Sequence, residues 1–149
     1  MIRLADIKDV NKVLFITLSF IEESGYKFSI NPRKLRELAR AFIEDSDKLV
    51  LLLVDDKDNI KGILAGNLVS PFYTDDVIAQ EMMWYVDKDR RGSMESMRLP
   101  LMFIKWASQN KAKGVQFSNL EVLKGDKVSE VYERLGLKKM ESAFYKDLN

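Results

Sequence analysis

Apolar positions along the chain recur at two spacings, and these divide it into elements before any motif is considered. Ile2 to Leu4 reads as a short strand. Asp6 suits a helix N-cap, followed by Ile7, Val10, Val13, Leu14, Ile16, Thr17 and Phe20 at helical spacing up to Gly25. Asn31 as cap and Pro32 at the first helical position open a second helix, with Leu35, Leu38, Ala39 and Phe42 on its apolar face. Lys48 to Asp55 is a buried strand, and the turn Asp56-Lys57-Asp58-Asn59 joins it to a hairpin partner, Ile60 to Val69. After a break at Ser70-Pro71-Phe72-Tyr73, Val77 to Val86 continues as a long strand rich in Met and aromatics. An apolar helix runs from about Met94 to Asn110, with Pro100 expected to bend it. A strand over Val115 to Val122 follows. Asp126 then caps an amphipathic helix carrying Val128, Val131, Tyr132 and Leu135, stopped by Gly136. Lys139 to Lys146 reads as a last strand. The order β-α-α-β-β-β-α-β-α-β has three consecutive strands in its middle. That disfavours a doubly wound parallel sheet and points to an α+β fold, a mixed sheet covered by helices.

The 149 residues contain no repeat, low-complexity tract or Pro/Gly-rich linker, so residues 1–149 read as a single domain. Lys and Arg number 24 against 23 Asp and Glu, a balance unlike that of a nucleic-acid binder. The longest apolar run, Leu49 to Val54, is far too short to span a membrane, and the polar start of the chain lacks a signal-peptide core. A cytoplasmic setting is the expectation. Composition bears hardest on chemistry, because there is no cysteine and no histidine. Zinc sites built on those ligands, thiolate nucleophiles and Ser-His-Asp triads are excluded, and no metal is expected. Catalysis must use carboxylates, Tyr, Ser, Lys, backbone amides or a bound cofactor.

The segment Trp84 to Ser96 runs strand, basic turn, helix start. Free amides of a first helical turn converge there, the helix dipole favours negative charge, and Arg90 and Arg91 add cations. Gly92 permits close backbone approach. The run suits a phosphate or pyrophosphate; it also suits a solvated turn.

Val86 to Met102 resembles the acetyl-coenzyme A segment of the GNAT N-acetyltransferase superfamily, Arg/Gln-x-x-Gly-x-Gly/Ala after a strand. Arg91 matches the leading basic position and Ser96 the last small one. Met94 stands at the middle glycine, and Lys88 or Asp89 where proline is usual. Val131-Tyr132-Glu133-Arg134-Leu135-Gly136-Leu137 is similar to the family's Leu-Tyr-Glu-Lys-Leu-Gly-Phe, although Gly125 replaces the asparagine usual before it. The resemblance spans nearly the whole chain. It implies a GNAT-like three-layer α/β/α architecture with a mixed, mostly antiparallel sheet, and transfer from acetyl-coenzyme A to a primary amine by direct attack on the thioester. It further implies pyrophosphate on the amides of Gly92, Ser93, Met94, Glu95 and Ser96 beside Arg91, and a pantetheine arm along Met83 to Val86, opened by a splay from the strand at Val115. An amide near Tyr85 or Val86 would polarise the carbonyl, and Tyr132 would return a proton to the leaving thiolate.

Each role has a plainer counterpart. Tyr132 lies on the apolar face of its helix, where an aromatic also serves as core. Glu81, among Met82, Met83 and Trp84, is the general-base candidate if burial raises its pKa, and otherwise an outward or ion-paired carboxylate. Met94 would crowd the phosphates or redirect the loop. Phe20, Tyr26, Phe28, Phe72 and Tyr73 suit an acceptor cleft or ordinary packing. Glu22 and Glu23 suit a solvated helix end or attraction of a cationic amine. The partners expected are a small-molecule or protein amine acceptor, with no nucleic acid and no membrane; a homodimer is left open. Other readings are a catalytically inactive binding or regulatory module of this fold, and a small α/β protein holding another phosphate ligand at Arg90 to Ser96.

Overall fold

The apolar run Leu49 to Val54 becomes the buried heart of a five-stranded sheet. In the computed structural model, residues 1–120 and 125–148 are described, with side chains from Lys127 onward in the second stretch. They fall into two compact units, the chain dividing between Ser118 and Asn119. In the first unit the strands β1 (Ile2–Leu4), β2 (Lys48–Val54), β3 (Ile60–Val69), β4 (Ile78–Val86) and β5 (Gly114–Gln116) lie side by side in chain order. All pairs are antiparallel except β4 with β5. The helices are α1 (Val10–Ser24), α2 (Pro32–Glu44) and α3 (Met94–Gln109).

Alternation along β2 explains the layers. Val50, Leu52 and Val54 pack with Val13 and Ile16 of α1 and with Ala39 and Phe42 of α2. Leu49, Leu51 and Leu53 face the other way, onto Leu99, Phe103 and Ala107 of α3. A strand buried on both faces has no polar alternation to show, which is why it reads as one apolar run. The architecture is the expected α/β/α arrangement around a mixed sheet. No helix among the described residues is long and apolar enough to cross a membrane.

Local chemistry fixes the ends of these elements. Asp6 caps a 3-10 turn, Ile7–Asp9, accepting from the Lys8 amide while Asp9 accepts from the Asp6 amide; α1 then continues and stops at Gly25 with φ +75°. The buried Asp9 is neutralised by Arg3 at 2.7 Å, which ties β1 to this turn. Asn31 caps α2 by accepting from the Lys34 amide, with Pro32 first in the helix. Pro100 sits buried inside α3, which runs through it.

Two strands differ from expectation. β5 ends at Gln116, because the Ser118 amide is turned onto the Glu81 carboxylate instead of a ladder; Val122, the expected end, lies outside the described residues. Lys139 to Lys146 is not a strand. Met140 and Phe144 stand exposed, and among the described residues of the second unit there is no strand with which this segment could form a ladder. A strand has no existence apart from its partner. The second unit does contain α4 (Gly125–Arg134), where the side chain of the expected cap, Asp126, lies outside the described set. Gly136, at φ +86°, ends it as expected, donating to the Glu133 carbonyl.

β4 carries one residue too many for β3. Ala65 pairs Met83 and Gly66 pairs Glu81, so Met82 bulges out, half-exposed. The extra residue resets the alternation. Ala79 joins the α3 side of the core, whereas Met83 and Tyr85 join the α1/α2 side. Opposite the bulge, Gly66 lets Phe103 of α3 lie directly on the sheet, since a Cβ there would come 2.4 Å from the ring and 2.7 Å from the Gln80 carbonyl. Gly66→Ala should therefore destabilise the protein by about 1–3 kcal/mol through overpacking, read as a lowered midpoint in thermal or urea unfolding.

Candidate active site

Two features of the sheet converge on β4. Its parallel pairing with β5 covers only Ile78 to Gln80 against Gly114 to Gln116. From Glu81 to Val86 the strand pairs with β3 alone, and no strand lies along its other side among the described residues. Val115, where a splay was expected, is itself paired with Ala79; the ladder stops one residue later, and an extended ligand could hydrogen-bond along the unpaired stretch of β4.

Glu81 occupies the first position past the last β4–β5 pair. It is buried, and its Oε2 accepts from the Ser118 amide at 3.0 Å. Removal from water pushes its pKa up to about 7, against the smaller opposing effect of that amide. No cation forms an ion pair with it among the described residues. A carboxyl group divided between its two protonation states near neutral pH can take a proton and give it up again.

At the other end of the open edge the chain leaves β4 through Asp87 and a 3-10 turn, Lys88–Arg90, then enters α3. Gly92 has φ +77°, a conformation costly for any other residue, and the space where its Cβ would stand is empty. Ser93 caps α3, its hydroxyl accepting from the Ser96 amide and its carbonyl from the Met97 amide. The amides of Gly92, Met94 and Glu95 have no acceptor among the described residues, so this helix start keeps donors for an anion. Ser96 is buried with its hydroxyl turned onto the Ser93 carbonyl, as a small residue packed inside the loop. Met94 is 87% exposed. The Glu95 carboxylate sits in the first helical turn, itself a favourable partner for the dipole.

Arg91 is placed differently from a free basic residue. Its Nε donates to the Val86 carbonyl at 2.7 Å and its Nη2 to Glu23 Oε2 at 2.8 Å. The other Glu23 oxygen accepts from the Tyr85 hydroxyl at 2.6 Å, and the guanidinium stacks 5.3 Å from the Tyr85 ring centroid. Burial raises the Glu23 pKa, but the bonds from Tyr85 and Arg91 outweigh it and hold the group below its ordinary range. Burial and the neighbouring Glu23 push the Tyr85 hydroxyl up to about 12. Glu23 is therefore no solvated helix end. It is 62 residues from Tyr85 and 68 from Arg91, so no local pattern in the sequence signals the contact.

The remaining sequence candidates are spread more widely. Tyr132 lies on α4 in the second unit, half-buried, its carbonyl accepting from the Leu137 amide. Phe20 packs edge-on against Tyr85. Tyr26 stacks on Phe28 in the α1–α2 connection, and Phe72 meets Tyr73 at the tip of the β3–β4 connection, all four exposed. Among the described residues no group of three acidic or metal-ligating side chains is placed to hold a metal ion.

No family model matches the sequence, and no curated protein matches it. Solved structures do match over its whole length. A predicted acetyltransferase with acetyl-CoA from Clostridium acetobutylicum superposes with a TM-score of 0.81 at 15% identity, covering 99% of this chain and 96% of that one. The ribosomal-protein-alanine N-acetyltransferase from Brucella melitensis gives 0.71 at 17%, covering 99% of both chains. The aminoglycoside antibiotic 6'-N-acetyltransferase from Acinetobacter baumannii gives 0.73 at 17%, covering 100% and 97%. The chain has the GNAT-like fold of these acetyltransferases.

The buried Glu81 makes stability depend on pH. Its folded pKa of about 7 lies above the ordinary 4.5, so the folded state binds the proton more tightly. The protein should lose stability as pH rises from about 4.5 through 7, by about 3 kcal/mol in all. Glu81→Gln keeps an acceptor for the Ser118 amide and carries no charge. It should raise the unfolding midpoint at pH 8 and flatten that dependence, whereas an unchanged profile would mean the carboxylate is solvated.

Proposed function

We propose that this protein is a cytoplasmic acetyl-coenzyme A-dependent N-acetyltransferase, its 149 residues forming one acyltransferase domain. The observation that carries the reading is Glu81, buried, half-ionised near neutrality and set where β4 and β5 part, in a fold shared with acetyltransferases. The donor fits the residues present. The open amides of Gly92, Met94 and Glu95 and the empty space above Gly92 suit its pyrophosphate, and the unpaired edge of β4 suits its amide-bearing arm.

In this reading the donor supplies an activated acetyl thioester, and the chain does the rest. Gly92 to Ser96 hold the phosphates by backbone amides at the positive end of α3, with Arg91 beside them. Of the two amides expected there, that of Tyr85 faces β3, two residues before the Asp87 amide that donates to the Lys61 carbonyl, so it is the Val86 amide that would donate to the carbonyl oxygen as negative charge grows there. Glu81 takes the proton of the incoming ammonium, directly or through water, so that the neutral amine can form the C–N bond as the C–S bond breaks. Tyr132 would give its proton to the departing thiolate, and the second proton that the nitrogen sheds as the amide forms would restore the phenol through water. The acceptor is a primary amine, on a small molecule or a protein. No step needs a protein nucleophile, which accords with a chain lacking Cys and His.

The test is a free-thiol assay with acetyl-coenzyme A and a panel of amines. Activity should rise with pH through about 7 as Glu81 ionises. Glu81→Gln should lower kcat by about 10²- to 10⁴-fold and abolish that limb. Tyr132→Phe should lower kcat with donor affinity nearly unchanged; loss of folding would instead make Tyr132 a core residue. If calorimetry finds no binding of acetyl-coenzyme A, the proposal falls.

A further inference from the structure

The geometry points to Glu23, at the end of α1, as a positioning residue that presents the Arg91 guanidinium to the donor's pyrophosphate. This rests on the reading of Gly92 to Ser96 as the phosphate site. Arg91 has five N–H donors, and Glu23 and the Val86 carbonyl engage two of them, at 2.8 and 2.7 Å. Stacking on Tyr85 holds the plane of the group, and Tyr85 is itself tied to the same carboxylate at 2.6 Å. The closed set Glu23–Tyr85–Arg91 fixes the rotamer of a long side chain and leaves the Nη1 edge uncommitted. The Arg91 side chain stays 35% exposed, on the loop that leads into α3. A flexible arginine must be ordered when it meets a phosphate, and one held in place beforehand avoids much of that cost.

Glu23 also brings a negative charge close to an anion site. This works against binding at low salt and is screened at high salt, since the Debye length shrinks to about 3 Å at 1 M. Ordering of the side chain is not screened. The two effects of Glu23 therefore separate by ionic strength.

The experiment measures coenzyme A binding by calorimetry to the full chain at low and high salt, alongside thermal unfolding. Glu23→Gln keeps an acceptor for Tyr85 and loses the ion pair. At high salt it should weaken coenzyme A binding by about 3- to 10-fold, with a smaller loss at low salt, and the KM for the donor should rise by a larger factor than kcat falls. The double variant Glu23→Arg with Arg91→Glu restores an ion pair in reverse. It should recover the unfolding midpoint without recovering binding, because the cation then sits on α1. Recovery of both would show that the pair only fastens α1 to the loop, and would overturn the positioning role while leaving the donor site intact. Failure of the unaltered protein to bind coenzyme A would overturn the reading of the site, and this inference with it.

Discussion

A carboxylate held out of water at the parting of two parallel strands is the constraint on which the site depends. Glu81 can stay there because the strand turns away at that point: β5 gives up its ladder after Gln116, and the Ser118 amide goes to the side chain. One hydrogen bond does not repay the desolvation of a full charge, so the group answers by holding its proton to about pH 7. The end of the β4–β5 ladder and the buried environment that raises the Glu81 pKa thus fall at the same place in the sheet. The bulge at Met82 lies next to it and re-aims the residues that follow, sending Met83 and Tyr85 towards α1 and α2.

Electrostatics at the other end of β4 follow a different logic. The loop from Asp87 to Ser93 carries Lys88, Arg90 and Arg91 against Asp87 and Asp89, and much of its charge is already balanced. Lys61 lies 3.8 Å from Asp87, Arg90 3.9 Å from Asp89, and Arg91 is shared with Glu23. The backbone amides at the start of α3 carry no such balance. In the proposed reading, an anion at this place would be held chiefly by oriented dipoles, with Arg91 supplying direction as well as charge.

Much of the fold was legible because its signals are local. Asp6, Asn31 and Gly25 mark helix ends through their own hydrogen bonds or backbone angles, and the both-faces burial of β2 is written in six consecutive apolar residues. The start of α3 near Met94 was legible for the same reason, and Gly92 was marked as a place of close backbone approach; its φ of +77° and the Ser93 cap belong to the structure. What failed to show depended on distant partners. The register that makes Met82 a bulge belongs to β3 as much as to β4, and Val77 to Val86 reads as one unbroken strand. Lys139 to Lys146 has strand-like composition without a ladder. Glu23 looked like a solvated helix end until Tyr85 and Arg91 were brought to it.

The central strand has a further bearing, on how the chain reaches this fold. Leu49 to Val54 is uncharged, branched and free of proline, the composition of a segment that self-associates when left bare. Its two sheet neighbours arrive at very different times. β1 is made first but must close a loop of more than forty residues to pair, while β3 follows across a short Asp/Asn turn. The β2–β3 hairpin is therefore the cheap early contact, and the Asp55 to Asn59 turn that closes it guards a newly made chain against aggregation.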